Sequence, residues 1–246
     1  MTNLIWTRDY DELSQLTAEC MYRTVTQNPN AVLVLATGGS PQLAYRLFCK
    51  KIIRDGIDLS GVTFVKLDEW LGLSTTDEAT CEVFLRRELL DPLDICENQF
   101  LHFDPEAPDA QAECDRFQAA FYALPQVDLV ILGIGKNGHL GLNEPGESLS
   151  SNTHIIPLSP KTKTHEMLTH TSSQVTHGIT MGMADLFRGK EILLLATGAE
   201  KTHLLPLLTD RQITTFVPFT LLKLHPNCNC IIDRSSFDVS RSNEDL

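Results

Sequence analysis

The feature that most constrains the fold of this chain is an alternation between short apolar runs and longer segments of helical periodicity. The apolar runs read as strands at residues 31–36, 62–67, 127–132, 191–196 and 228–232. Segments of helical periodicity lie between them, at residues 11–27, 41–52, 80–90, 109–124, 160–170, 182–187, 201–208 and 219–224. Unbroken apolar strands are typical of a sheet covered on both faces. The pattern predicts a single-domain, Rossmann-like α/β fold over residues 1–246, with a mainly parallel sheet flanked by helices.

The overall charge limits the partners of the chain. Its 246 residues carry a formal net charge of −12, which repels nucleic acid and anionic lipid. We find no apolar run near the roughly 18–20 residues of a membrane span and no secretory signal pattern at the N-terminus. Seven scattered cysteines are expected to be buried free thiols in a reducing compartment. We therefore expect a cytoplasmic protein that captures any anionic ligand locally.

Four predicted strands end in polar or glycine-rich turns, at residues 37–40, 68–70, 133–145 and 197–201. In open α/β sheets, ligands bind outside the carboxyl ends of the strands. The four turns are therefore expected to meet in one crevice.

Two of these turns are candidates for binding an anion. Thr37, Gly38, Gly39 and Ser40 lead into a helix, with Ser40 predicted as its N-cap and Pro41 as its first residue. The free N–H groups of a first helical turn suit a phosphate. Lys201 follows the turn after another strand and would add a cation. The alternative interpretation is a plain strand-to-helix turn with a solvated lysine.

Asp68 and Glu69 follow the second strand directly. A carboxylate at the end of a strand, in a sheltered crevice, is a natural general base. Adjacent residues in extended chain point to opposite faces, so one acid would serve chemistry and the other structure. We assign the chemistry to Asp68, against the alternative of an ordinary loop acid or helix cap, and place Glu69 among the ligand-contacting residues.

The third turn is the richest in chemistry, with five glycines among residues 133–146. Such a loop can wrap closely around a ligand, and we include Gly135 and Gly138 in the predicted contacts. His139 can exchange a proton near neutral pH, and an acid such as Glu144 can fix its tautomer. No serine or cysteine elbow accompanies it, which favours proton transfer over acyl transfer. The eight histidines form no metal-binding motif, so we expect no metal.

Four motifs together resemble the superfamily of glucosamine-6-phosphate deaminases and 6-phosphogluconolactonases. They are ATGGSP at residues 36–41, LDEW at 67–70, LGIGKNGHLGLNEPG at 132–146 and LLLATGAEK at 193–201. The resemblance covers nearly the whole chain. The NEPG segment is similar to the deaminase branch, and KNGHLGLNEPGESL is similar to the galactosamine-6-phosphate group within it.

The resemblance implies that the chain deaminates and isomerises a phosphorylated amino sugar without a cofactor. The favoured substrate is galactosamine 6-phosphate, giving tagatose 6-phosphate and ammonia, and the second is glucosamine 6-phosphate. Asn137 departs from the aspartate common in deaminases, which leaves open whether Asn137 or Glu144 assists His139. The phosphate-binding arginine of typical deaminases has no clear counterpart near residues 166–170.

Two other classes remain as alternatives. A lactonase would hydrolyse 6-phosphogluconolactone without releasing ammonia. A non-catalytic phosphosugar sensor would require a DNA-binding domain, for which the chain is too short and too acidic. Members of the superfamily occur as monomers and as larger assemblies, so a homo-oligomer also stays open.

Overall fold

A parallel sheet forms the centre of the structure, a computed structural model that describes residues 2–237 apart from the side chain of His170. The strands are β1 (Asn3–Thr7), β2 (Val32–Leu35), β3 (Thr63–Lys66), β4 (Asp68–Trp70), β5 (Phe100–Leu101), β6 (Val127–Gly133), β7 (His154–Pro157), β8 (His177–Thr180), β9 (Gly189–Ala196) and β10 (Cys228–Asp233). Seven of them pair in the order β1-β10-β9-β6-β2-β3-β5, with every neighbour parallel. The five predicted strands all lie in this sheet, which confirms the predicted fold class.

Helices cover both faces of the sheet. They are α1 (Tyr10–Gln27), α2 (Gly39–Asp55), α3 (Cys81–Leu85), α4 (Ala110–Ala123), α5 (Met183–Leu186), α6 (Leu205–Thr209) and α7 (Arg234–Phe237). Alternate residues of β2 point to opposite faces, as the period of a strand requires. Leu33 and Leu35 pack in the apolar layer that contains α1 and α2, whereas Val32 and Val34 pack in the layer that contains α4.

A second, antiparallel sheet of three strands has the order β4-β8-β7. The chain leaves the large sheet at Leu67, whose N–H donates to the Leu35 carbonyl oxygen and whose own carbonyl oxygen accepts from Met181. β4 then pairs with β8, so that Asp68 lies opposite Thr180. The sequence predicted none of these three strands, because each is short and pairs with a segment far along the chain.

Several predicted helices are shorter or tighter than expected. Residues 160–170 form two 3₁₀ turns rather than one helix, at Thr162–Thr164 and Glu166–His170. Ala199–Leu204 is also a 3₁₀ turn, and α6 begins after it. Pro206 in the first turn of α6 has no N–H with which to continue the preceding turn, which accounts for the break.

Two further sequence expectations concern membranes and thiols. Between residues 2 and 237, no helix combines the length and the apolar character that crossing a membrane requires. All seven cysteines lie in this range and are free thiols. Five are buried, but Cys20 is half-buried and Cys96 is exposed, so the expectation of uniformly buried thiols was wrong for these two.

Candidate active site

A cavity of about 550 Å³ opens at the carboxyl ends of β2, β3, β6 and β9, which are neighbours in the large sheet. This volume suits one small ligand. The four predicted turns do converge there, as the positions of ligand sites in parallel sheets led us to expect. Nine of the predicted site residues line its walls: Thr37, Gly38, Gly39, Ser40, Asp68, Gly135, Asn137, His139 and Lys201. Glu69, Gly138 and Glu144 do not.

Asp68 lies on the cavity wall and is only 7% exposed. One of its oxygens accepts a long hydrogen bond from the thiol of Cys81, at 3.8 Å. Burial and the neighbouring charge of Glu69 raise the pKa of Asp68 to about 7, against the opposing effects of Cys81 and Lys66. A carboxyl group whose pKa lies near neutrality can both take up and return a proton under ordinary conditions.

Glu69 points away from the cavity, so its prediction as a ligand contact was wrong. Its side chain is fully buried and its Oε2 lies 2.8 Å from Nζ of Lys66. The backbone N–H groups of Trp70, Cys81 and Glu82 also donate to the Glu69 carboxylate, at 2.8–3.0 Å. With these four donors Glu69 joins β4 to the start of α3, and the expectation that one of the two adjacent acids is structural holds.

His139 is held against the backbone of its own loop. A Cβ atom on residue 135 would lie 2.1 Å from Nε2 of His139, so only glycine allows the imidazole to lie where it does. The backbone N–H of Gly135 donates to the carbonyl oxygen of His139 at 3.0 Å, and the N–H of His139 donates to Oδ1 of Asn137 at 3.2 Å. The glycine-rich loop thus fixes both the backbone and the ring of His139.

Glu144 lies behind this wall of the cavity. Its Oε2 is 3.7 Å from Nδ1 of His139, which is longer than a hydrogen bond, and it accepts from Nδ2 of Asn137 at 2.8 Å. The hydroxyl of Thr162 donates to the other oxygen. Although burial opposes ionisation, His139, Thr162 and Asn137 together lower the pKa of Glu144 to about 2. Glu144 is therefore a fixed negative charge beside the imidazole.

Gly138 does not contact the cavity, contrary to expectation. The space in front of its Cα is filled by Val217 and Phe219, and a Cβ there would lie 2.7 Å from the Val217 side chain. Gly138 also accepts a backbone hydrogen bond from Phe219, at 3.1 Å. Its role is to let the loop pack on the segment before β10.

The anion-binding end of the cavity differs from prediction in its helix cap. α2 begins at Gly39 and its N-cap is Gly38, whose φ of 94° is a conformation that favours glycine. Ser40 is therefore the second helical residue rather than the N-cap, and no side chain caps the first turn. The uncapped N–H groups of this turn lie at the cavity and are suited to a phosphate.

Lys201 reaches the same end from the turn after β9, two strands away from β2 in the large sheet. Its Nζ donates to Oγ of Ser40 at 3.5 Å, so the two predicted anion-binding turns meet. Burial lowers the pKa of Lys201, and the nearby Glu200 opposes that shift.

The cavity walls include side chains that the sequence reading did not single out as site residues: Tyr10, Lys136, Lys161, His165, Glu166 and Glu200. Lys161 donates to the backbone carbonyl oxygen of Lys136, at 2.6 Å. Lys136 could have been found, because it lies inside the glycine-rich loop. Lys161 and His165 come from a segment that we predicted to be helical, and no local signal placed that segment over the cavity.

Comparison with known proteins agrees with this geometry. Residues 9–228 match the family model of glucosamine-6-phosphate isomerases/6-phosphogluconolactonase. The putative deaminase AgaI of Escherichia coli K12 is 41% identical over 225 residues, which are 92% of this chain and 89% of that protein. A glucosamine-6-phosphate deaminase of Bacillus velezensis is 34% identical over 95% of this chain and 98% of its own length.

Solved structures extend the comparison. A monomeric glucosamine-6-phosphate deaminase, described as a missing link of the NagB superfamily, superposes with a TM-score of 0.91 at 32% identity, covering 96% of this chain and 98% of that one. The 6-phosphogluconolactonase of Leishmania guyanensis has a TM-score of 0.79 at 18% identity, over 97% and 98% of the two chains, and shares the fold. The resemblance found in the sequence is thus confirmed, and the chain belongs to the glucosamine-6-phosphate isomerase/6-phosphogluconolactonase family.

Proposed function

We propose that this protein is an amino-sugar-6-phosphate deaminase that also isomerises its substrate from aldose to ketose. The observation that carries the proposal is that Asp68 and His139 line the same cavity as an uncapped helix N-terminus and Lys201. Relatives named as deaminases, which match nearly the full chain, support the same reaction. Because the glycine-rich loop resembles that of the galactosamine-6-phosphate group, galactosamine 6-phosphate is the favoured substrate and glucosamine 6-phosphate the second.

In this proposal, the phosphate lies between the first turn of α2 and Lys201. The backbone N–H groups and the positive end of the helix dipole attract the anion, and the ammonium group neutralises part of its charge. Lys136 and Lys161 add positive charge to the walls and take the place of the arginine that the family resemblance led us to seek. Holding the phosphate fixes the distance between the sugar carbons and the groups that move protons.

His139 opens the sugar ring. It takes the proton of the anomeric hydroxyl and delivers a proton to the ring oxygen as the bond between C1 and that oxygen breaks. Glu144 faces Nδ1, which leaves Nε2 for the sugar and stabilises the imidazolium that forms in passing. Asn137 holds Glu144 in place but cannot itself exchange a proton.

Asp68 then carries out the isomerisation. As a carboxylate it removes the proton from C2 of the open-chain aminoaldose, which gives an enolamine. It returns that proton to C1, and the nitrogen on C2 becomes an iminium group. Water adds to C2 and ammonia leaves, which yields the ketose 6-phosphate. Each positioned acid or base typically contributes about 10²–10⁴-fold to the rate.

A direct test compares ammonia release from galactosamine 6-phosphate and glucosamine 6-phosphate, which differ only in the configuration at C4. Hydrolysis of 6-phosphogluconolactone is measured alongside. We expect ammonia from at least one amino sugar, with ketose 6-phosphate in equal amount, and a higher kcat/KM for the galacto compound. The His139→Gln variant should lose about 10²–10⁴-fold in kcat. Lactone hydrolysis without ammonia, or saturable sugar-phosphate binding without any turnover, would refute the proposal.

A further inference from the structure

The turn that carries Lys201 is held from outside the cavity by the C-terminal end of β10. β10 lies beside β9 in the large sheet, with Ile232 opposite Ala196. Asp233, the last residue of β10, therefore lies next to Thr197, the first residue after β9. This register brings the start of α7 against a turn that lines the cavity.

Four hydrogen-bonding groups join the two segments. The hydroxyl of Ser236 accepts the backbone N–H of Gly198 at 3.0 Å and donates to Oδ2 of Asp233 at 2.5 Å. The hydroxyl of Thr197 donates to the same Oδ2 at 2.8 Å and lies 3.2 Å from the Ser236 hydroxyl. The carboxylate of Asp233 is buried, being 1% exposed.

Without this contact, the backbone N–H of Gly198 would be free to bind an anion. It lies on a turn at the carboxyl end of a strand, where free backbone N–H groups bind anions in many α/β proteins. Here it is already satisfied by Ser236. The contact therefore serves to fix the turn rather than to bind a ligand directly.

Lys201 lies one turn of chain after Gly198. Its backbone N–H donates to the carbonyl oxygen of Gly198 at 3.0 Å, and its Nζ reaches Ser40 across the cavity. A shift of Gly198 would move the base of the lysine side chain with it. A long, flexible side chain holds its ammonium group at one place only if its backbone is fixed.

We propose that Ser236, oriented by Asp233, is a positioning residue that sets where the ammonium group of Lys201 meets the phosphate. This inference rests on the proposed phosphate site. It does not depend on which reaction follows, and it assigns a binding role to residues that do not line the cavity.

The neighbouring serine provides a matched control. The hydroxyl of Ser235 also donates to Asp233, at 2.7 Å, but to the other oxygen, Oδ1. Ser235 is exposed, and its side chain has no hydrogen bond to the Thr197–Gly198 turn among residues 2–237. The variants Ser236→Ala and Ser235→Ala thus both remove one hydroxyl from Asp233, and only the first releases the turn.

The experiment measures the affinity of the full chain for inorganic phosphate by calorimetry, together with KM and kcat for the amino-sugar 6-phosphate. For Ser236→Ala we expect phosphate affinity to fall and KM to rise by about tenfold, which is what loss of one hydrogen bond to a buried group can produce. We expect kcat to stay within about twofold, because Asp68 and His139 are untouched. Ser235→Ala should leave both affinities unchanged.

A double-mutant cycle with Lys201→Ala separates positioning from a general loss of stability. If Ser236 acts through Lys201, adding Ser236→Ala to Lys201→Ala should weaken phosphate binding by less than about twofold more. Equal phosphate affinity in Ser236→Ala and the unaltered chain would overturn the inference, as would full additivity or an absence of phosphate binding altogether. Dependence of phosphate binding on Ser236 without ammonia release would instead refute the proposed reaction and leave the inference standing.

Discussion

The segments that follow β3 and β6 each place a carboxylate at the cavity wall, Asp68 on its surface and Glu144 behind it, and they give the two carboxylates opposite properties. Asp68 receives, among the described residues, one long hydrogen bond from a thiol, and burial raises its pKa to about 7. Glu144 receives hydrogen bonds from Asn137 and Thr162 beside His139, and its pKa falls to about 2 although burial opposes this. Fuller burial and the neighbouring charge of Glu69 keep the pKa of Asp68 near neutrality, whereas the hydrogen-bond donors and the imidazole around Glu144 outweigh its burial.

The largest effect is expected for Asp68→Asn, which removes the titrating carboxylate. We expect kcat for ammonia release to fall about 10²–10⁴-fold. The same substitution should make the folded protein more stable at neutral and alkaline pH. The folded-state pKa of about 7 lies above the ordinary value of 3.8, so the stability that the protonated group contributes is lost as pH rises from 3.8 to about 7. Asp68→Asn should therefore raise Tm by a few degrees at pH 8 and by less at pH 5.

Asp94→Asn is the control for that experiment, since Asp94 is exposed and lies outside the cavity. It should leave kcat and both Tm values unchanged. A lower Tm for Asp68→Asn at pH 8 would contradict a carboxylate destabilised by burial.

The second largest fall in kcat is expected for a substitution at Gly135, whose backbone packs against the imidazole of His139. Gly135→Ala would place a methyl group 2.1 Å from Nε2 of His139 and force the imidazole to move. We expect kcat to fall about 10²-fold, because a displaced acid or base loses most of its contribution. Gly146→Ala is a matched control in the same loop, since its nearest neighbour, the Ser148 carbonyl oxygen, would lie at 3.5 Å. Equal activities of the two variants would show that the ring position does not depend on Gly135.

A smaller effect is expected for Glu144→Gln, which keeps the shape but removes the fixed charge. Because the carboxylate acts through His139, we expect kcat to fall about tenfold, less than for Asp68→Asn. The folded-state pKa of about 2 lies below the ordinary value of 4.5, so Glu144 contributes stability above pH 4.5 that is lost as pH falls toward 2. The Tm of Glu144→Gln should be lower than that of the unaltered chain at pH 7, and thermal unfolding should show the gap narrowing between pH 5 and pH 3.

The smallest effect is expected for substitutions of Cys81, whose thiol donates to Asp68, and it concerns the pH dependence of the rate. The rate at low substrate should rise with pH and level off above about 7, as Asp68 ionises. The Cys81 hydrogen bond lowers the pKa of Asp68, so Cys81→Ala should move the midpoint of this rise upward, by about half a pH unit. Cys81→Ser keeps a donor and should restore the midpoint. A downward shift in Cys81→Ala would mean that the thiol does not stabilise the carboxylate.

The sequence predicted the parallel sheet well because its signals are local. Apolar runs such as residues 31–36 and 191–196 can be satisfied only by strands covered on both faces. The prediction of one helix over residues 160–170 was wrong, although the spacing of apolar residues there suggested a helix. Contacts with distant residues, such as that of Thr162 with Glu144, shape this segment. Short strands such as β7 and β8 give little local signal, so the second sheet was not predicted.

The sequence by itself determined that polar turns at the ends of several parallel strands would share one edge of the sheet, because parallel strands place all their carboxyl ends together. It also determined that Asp68 and Glu69 would point in opposite directions, because strand residues alternate. Only the tertiary structure decided which groups surround these two carboxylates. The pairing of Asp68 with Thr180, and the burial of Lys66 beside Glu69, exist only in the folded chain. Charge and pKa depend on which groups meet in space, and those groups come from segments far apart in the sequence.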